Sequence, residues 1–129
     1  MRVTVAVTVT ASGGLLPPMF MFKGSSKGRI VREFRTYDER GVYACQEKAW
    51  MDEKIMLRWV DTILKPYVET APVGIRPILF LDLYCCHMMT SVVLAIQNWA
   101  CTSSTFLVGA QACANLLMLG LASHWKIGL

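Results

Sequence analysis

Every charged residue of the chain but one lies at or before Asp82; from Leu83 to Trp125 there is no Asp, Glu, Lys or Arg, and only Lys126 follows. A soluble domain of ordinary composition places several charges in a stretch that long. Either the tail is membrane-active, or it is an ordinary segment that has lost its polar positions. The whole chain is 54% hydrophobic and 17% charged, enough apolar weight to bury a core and too much for intrinsic disorder. Its 129 residues suit a single domain, 1–129. A net charge of +4 is compatible with nucleic acid or an anionic surface without requiring either. The five cysteines are odd in number and show no C-x-x-C spacing, which argues against a disulfide framework or a zinc module and for reduced thiols.

The amino-terminal run does not read as a signal peptide. Val3, Val5, Val7 and Val9 alternate with Thr4, Ala6, Thr8 and Thr10, a period of two that predicts a strand. Ala11-Ser12-Gly13-Gly14 is a turn signal, and Met19–Lys23 predicts a second strand that completes a hairpin. Residues 24–41 read as loop and edge structure, and Val42–Gln46 as a short strand. From Trp50 to Val68 the period becomes helical: Met51, Ile55, Met56, Trp59, Val60 and Ile63 share a face, with Asp52 and Glu53 in the first turn and Pro66 at the end or a kink. Residues 69–77 read as a loop. Ile78–Leu81 is a continuous apolar run closed by Asp82, the pattern of a central strand buried on both faces. Met88–Trp99 predicts a helix, Thr105–Val108 a short strand, and Gly109 onward a helix. Strands followed by alternating helix and strand imply an α/β domain with a mixed sheet.

Several residues could carry chemistry. A carboxylate at the end of an apolar strand stands where open α/β sheets meet ligands, so Asp82 is the foremost site residue; a helix cap or a loop hydrogen bond is its structural alternative. Cys85-Cys86-His87 cannot assemble four zinc ligands, even with His124, and sequence neighbours seldom point together as a nucleophile and its base; two half-buried thiols beside a His at the mouth of the sheet is the plainer reading. The cations Lys23, Lys27, Arg29, Arg32, Arg35 and Arg40, interleaved with Phe34 and Tyr37, could contact phosphates, although three intermixed acids favour a solvated loop. The uncharged segment 105–123 is long enough to span a bilayer, but Gln111 and Asn115 fall near its middle.

In order along the chain come a Thr/Val strand, GGLLPPMFMFKG, AWMDEKIMLRWVDTILKPYV and PILFLDLYCCHM, then a strand and a Gly-bearing segment. This order resembles the DDE superfamily endonuclease domain of pogo/Tigger/jerky-type transposases, whose domesticated relatives include centromere protein B. The resemblance runs from about residue 3 to 126 and is most specific between Trp50 and Met89. It implies an RNase H-like mixed sheet with flanking helices, a nuclear location, a DNA partner and no small-molecule substrate. It also implies two divalent metals, usually Mg2+, held by three acids that clamp the attacking and leaving oxygens.

Residue by residue, Asp82 matches the family's second acid and His87 a His that often follows it. The family's first acid lies on a strand upstream of the hairpin, so the sheet is expected to be incomplete at the N-terminus and the Val3–Val9 strand to lack a partner there. The third acid sits in a Gln-Pro-hydrophobic-Asp-hydrophobic-Gly motif; alignment on Gly120 puts Met118 at the acid and Leu116 at the proline. A thioether does not ligate magnesium, so Asp82 would be a vestigial metal residue and no cofactor is expected on the chain as it stands. The expected function is therefore a catalytically inactive, transposase-derived DNA-binding domain with Lys23, Lys27, Arg29, Arg32 and Arg35 as its nucleic-acid contacts. The alternatives are a protein-interaction module and a protein tethered to a membrane through 105–123.

Overall fold

The computed structural model describes residues 2–81, 85–103 and 118–128, the last two strands by their backbone alone. Six strands form one mixed sheet in the order β3-β2-β1-β6-β4-β5. They are β1 (Arg2–Thr10), β2 (Met19–Lys23), β3 (Val42–Gln46), β4 (Ile78–Phe80), β5 (Cys101–Ser103) and β6 (Met118–Gly128). β1 runs antiparallel to both β2 and β6, whereas β2–β3, β6–β4 and β4–β5 are parallel pairs. This is a mixed α/β architecture, as the alternation of elements predicts, and of the RNase H-like kind that the resemblance implies.

The Val/Thr alternation forms β1, and its hairpin with β2 closes through Gly13, whose φ of 86° suits a residue without Cβ. The two faces of β1 are covered differently. Val3 and Val5 pack with Phe22 in a small cluster flanked by Phe20, Phe34, Tyr37 and Tyr43. The even positions Thr4, Ala6, Thr8 and Thr10 are buried too. Ala6 belongs to the main core, where Met19, Met21, Leu79, Trp59, Ile63 and Ile96 meet. Each such large side chain taken out of water contributes roughly 1.5–3 kcal/mol, so the helical face read from Met51 to Ile63 is the principal source of cohesion.

That face is presented by a helix starting at α2 (Glu53–Trp59). Asp52 caps it, its carboxylate accepting from the Ile55 N–H at 2.9 Å. The helix does not end at Pro66. A π-helical segment, Val60–Leu64, connects α2 to α3 (Lys65–Glu69), and the Lys65 N–H reaches back to the Val60 carbonyl. Proline has no N–H to give and crowds the carbonyl one turn back; the wider turn accommodates both defects. α4 (Thr90–Gln97) is shorter than the Met88–Trp99 expected, and Val92 and Ile96 are its buried residues.

Four expectations change. Residues 24–41 are not all loop: they hold α1 (Arg29–Glu33) and a 3-10 turn, Phe34–Thr36, because Ile30 and Phe34 recur on one side and pack against the aromatic cluster. β4 is only half-buried at Ile78 and Phe80, though Leu79 and Leu81 are buried, so it is not covered equally on both faces. The helix expected from Gly109 does not include 118–128, which is strand, and Met118 and Leu119 therefore belong to a sheet. Last, β1 does not lack a partner on its far side, because β6 pairs along it from Arg2↔Gly128 to Thr10↔Leu119. Two open strand edges, on β1 and β4, carry unpaired N–H and C=O groups, and satisfying both outweighs the helix preference of Met and Leu. The strand expected at Thr105–Val108 lies outside the described residues. No helix among the described residues is long and apolar enough to cross a membrane, and 118–123, the end of the segment read as a possible span, is part of β6.

Candidate nucleic-acid interface and remnant acid site

The strand registers fix where the predicted site residues stand. Phe80 of β4 pairs with Gly120, which pairs on its other side with Val9 of β1. At the opposite end of β1, Val3 pairs with Phe22, so Arg2 and Lys23 come side by side one position further on. The end of β4 and the start of the cationic segment therefore lie seven residues apart along β1 and three strands apart across it, roughly 27 Å at 3.3 Å per residue and 4.8 Å per strand. They sit at opposite ends of the β1–β6 ribbon.

At the β4 end, Asp82 lies outside the described residues, two positions after the last residue of β4. Cys85–Met88 form a 3-10 turn in which Cys85 is exposed while Cys86 and His87 are buried, His87 to 2% exposure; the His is thus inside the fold rather than at the mouth of the sheet. Met118, at the position matched to the third acid, opens β6 directly opposite Ile78. A pair of magnesium ions needs hard oxygen donors converging from several elements. β1, β4, β5 and β6 contain no Asp or Glu at all. Among the described residues no group of three or more His, Cys, Asp or Glu is close enough to hold a metal ion. The described residues here do not by themselves fit the metal pair that the resemblance implies.

At the other end, Lys23, Lys27, Arg29, Arg32, Arg35 and Arg40 are all exposed. They are not equivalent. Arg40 is tied to Asp38 through both its Nε and a terminal nitrogen, and these hydrogen bonds hold the Asp38 carboxyl down to about 2. Arg29 pairs with Glu33 one turn on, at 3.4 Å. Lys23, Lys27, Arg32 and Arg35 lie in no ion pair among the described residues. The segment is anchored from below by aromatic packing: Phe34 and Tyr37 each stand 5.7 Å from Phe22, and Tyr43 lies 5.1 Å from Tyr37. Phe34 and Tyr37 thus serve as the floor of the basic segment.

Three residues at this end were not singled out as site residues by the sequence reading: Arg2, Lys48 and Trp50. Trp50 reads naturally as the opening of the helical pattern. Asp52 as the N-cap instead leaves it outside the helix, with 44% of its surface exposed and the Arg2 guanidinium 5.8 Å from its ring centroid. An Asp-Glu pair two residues past an aromatic was the available signal, since a capping residue marks what precedes it as loop.

The chain matches the DDE superfamily endonuclease family over residues 1–107. It belongs to that family. No curated protein and no solved structure matches the chain. The matched region holds both the cationic end and Asp82, and it stops short of β6.

Proposed function

We propose that this chain, over 1–129 as one domain, is a transposase-derived DDE endonuclease-like domain of the pogo/Tigger/jerky type that binds DNA in the nucleus without cutting it. The observation that carries the reading is the strand between β1 and β4. β6 stands there antiparallel to β1, the relation that a strand placed just upstream of the hairpin would have, and from Met118 to Gly128 it contains no carboxylate. The two strands flanking β4 therefore carry no acid, and a lone carboxylate does not assemble a two-metal centre. Binding rests on Lys23, Lys27, Arg32 and Arg35, with Arg29 shared with Glu33. The separation of roughly 27 Å from the end of β4 equals about eight base pairs at 3.4 Å each, so a duplex lying along the ribbon reaches both ends.

Purified protein incubated with supercoiled plasmid and Mg2+ or Mn2+ should give no nicking above a mock preparation; nicking abolished by Asp82→Ala would overturn the inactive reading. On a duplex oligonucleotide, the four free cations of the segment with Arg2 and Lys48 beside them predict a log–log salt slope no steeper than about −5, at roughly 0.9 per phosphate. The triple change Lys27→Ala, Arg32→Ala, Arg35→Ala should flatten it to no steeper than about −3. Salt-independent binding, or none, would favour a protein-interaction module. One feature supports that second reading: a cleft of about 550 Å³ floored by Phe20 and Tyr43 and rimmed by Pro17 and by Leu15, which is 63% exposed.

A further inference from the structure

We infer that Trp50 and Arg2 form a stacking platform for an unpaired nucleobase, so that the cationic end of the sheet takes single-stranded nucleic acid in preference to a closed duplex. The inference rests on the nucleic-acid reading above and names the form of nucleic acid that this end accepts.

The loop that carries Trp50 is built rather than slack. Gln46, the last residue of β3, accepts the Lys48 N–H at 2.6 Å and the Trp50 N–H at 3.2 Å through its side-chain oxygen. Its backbone carbonyl takes the Ala49 N–H at 3.0 Å. Ala49 is held in the left-handed region at φ 55°, where a residue with a Cβ is strained by roughly 1–3 kcal/mol. What holds it is the Thr4 hydroxyl, which donates to the Ala49 carbonyl at 2.6 Å in a buried hydrogen bond. Ala49 and Met51 on either side are buried. A chain that buries both neighbours of a tryptophan, and strains its backbone to do so, fixes the indole at the surface.

The surroundings favour a nucleotide over an apolar peptide. Arg2 stands over the indole, Lys23 follows Phe22, the cross-strand partner of Val3 next to Arg2, and Lys48 is exposed in the same loop. An aromatic face beside phosphate-reaching cations is the arrangement by which single strands are held: each base stacks on a ring while the backbone tracks the charge. In a closed duplex the base faces are stacked on one another, and the ring has nothing to receive.

The full chain is titrated with a fluorescein-labelled oligo(dT) strand and with a duplex of equal length. Trp50→Ala should weaken the single strand about tenfold, the effect of losing one stacked base, and leave the duplex within twofold. Trp50→Phe should keep most of the single-strand affinity, and both variants should melt near the parent. The triple change Lys27→Ala, Arg32→Ala, Arg35→Ala should weaken both forms. Equal losses on strand and duplex for Trp50→Ala overturn the platform. So does unchanged single-strand binding by Trp50→Ala when the triple change still weakens it, and in that case the nucleic-acid reading survives. A parent protein that binds neither form overturns both.

Discussion

The two ends of the β1–β6 ribbon have opposite characters. Around β2 and β3 the sheet edge carries exposed lysines and arginines above a floor of five packed aromatic rings, and an adjoining loop is locked by three hydrogen bonds to Gln46 and a buried one from Thr4. Around β4 and β5 the strands are three residues long and contain no acid, and the strand between them and β1 comes from the tail, whose one charge is Lys126. Binding and catalysis make different demands. Contacts to phosphates tolerate rearrangement because charge acts at a distance, whereas a two-metal centre fails when any one of its carboxylates is lost. On the function proposed above, one end of this domain keeps its chemistry after the other has lost its own.

The largest expected effect contrasts the two cores. Trp59, fully buried among Met19, Leu79 and Ile96, should cost about 3–5 kcal/mol as Trp59→Ala; Phe34, half-buried on the satellite cluster, should cost about 1–2 kcal/mol as Phe34→Ala. Denaturant midpoints decide, and equal losses would mean that the aromatic floor is as structural as the main core. Next comes the junction. Gly120→Pro removes a ladder donor from the strand that joins the halves and should destabilise by about 3 kcal/mol. A neutral result by urea titration would show that β4 and β5 do not depend on β6. At the cationic end, Asp52→Ala should cost about 1 kcal/mol by removing the α2 cap, and circular dichroism should report the lost helix.

The smallest effect tests how firmly the basic segment is held. Asp38 has its carboxyl lowered to about 2, so its link to Arg40 is complete above pH 4 and is lost as the pH falls towards 2. An NMR titration should place the Asp38 midpoint near 2, and Arg40→Gln should move it back towards 3.8. Because the pair is exposed at the surface, thermal stability should change little.

Much of this molecule was legible from local pattern. The period of two gave β1, and the spacing of Met51, Ile55, Met56, Trp59, Val60 and Ile63 gave the buried face of the long helix, because each pattern reports which side chains share one surface of a regular backbone. The run of cations was equally plain, since exposed charge needs no partner to be recognised. That no Asp or Glu follows Asp82 was a matter of composition alone.

What the sequence could not reveal was long-range. Met118–Gly128 has the composition of a helix or a buried tail; it is a strand because β1 and β4, some forty residues and more before it, leave two edges to be satisfied at once. Pro66 looks like a terminator, but the buried apolar side chains on either side of the π turn keep the helix going through it. Trp50 is surface rather than core because Thr4, forty-five residues upstream in the chain, holds the Ala49 carbonyl and turns the indole outward. Periodicity records what a segment prefers; pairing and burial between segments far apart in the chain decide which preference is met, and only the tertiary structure contains them.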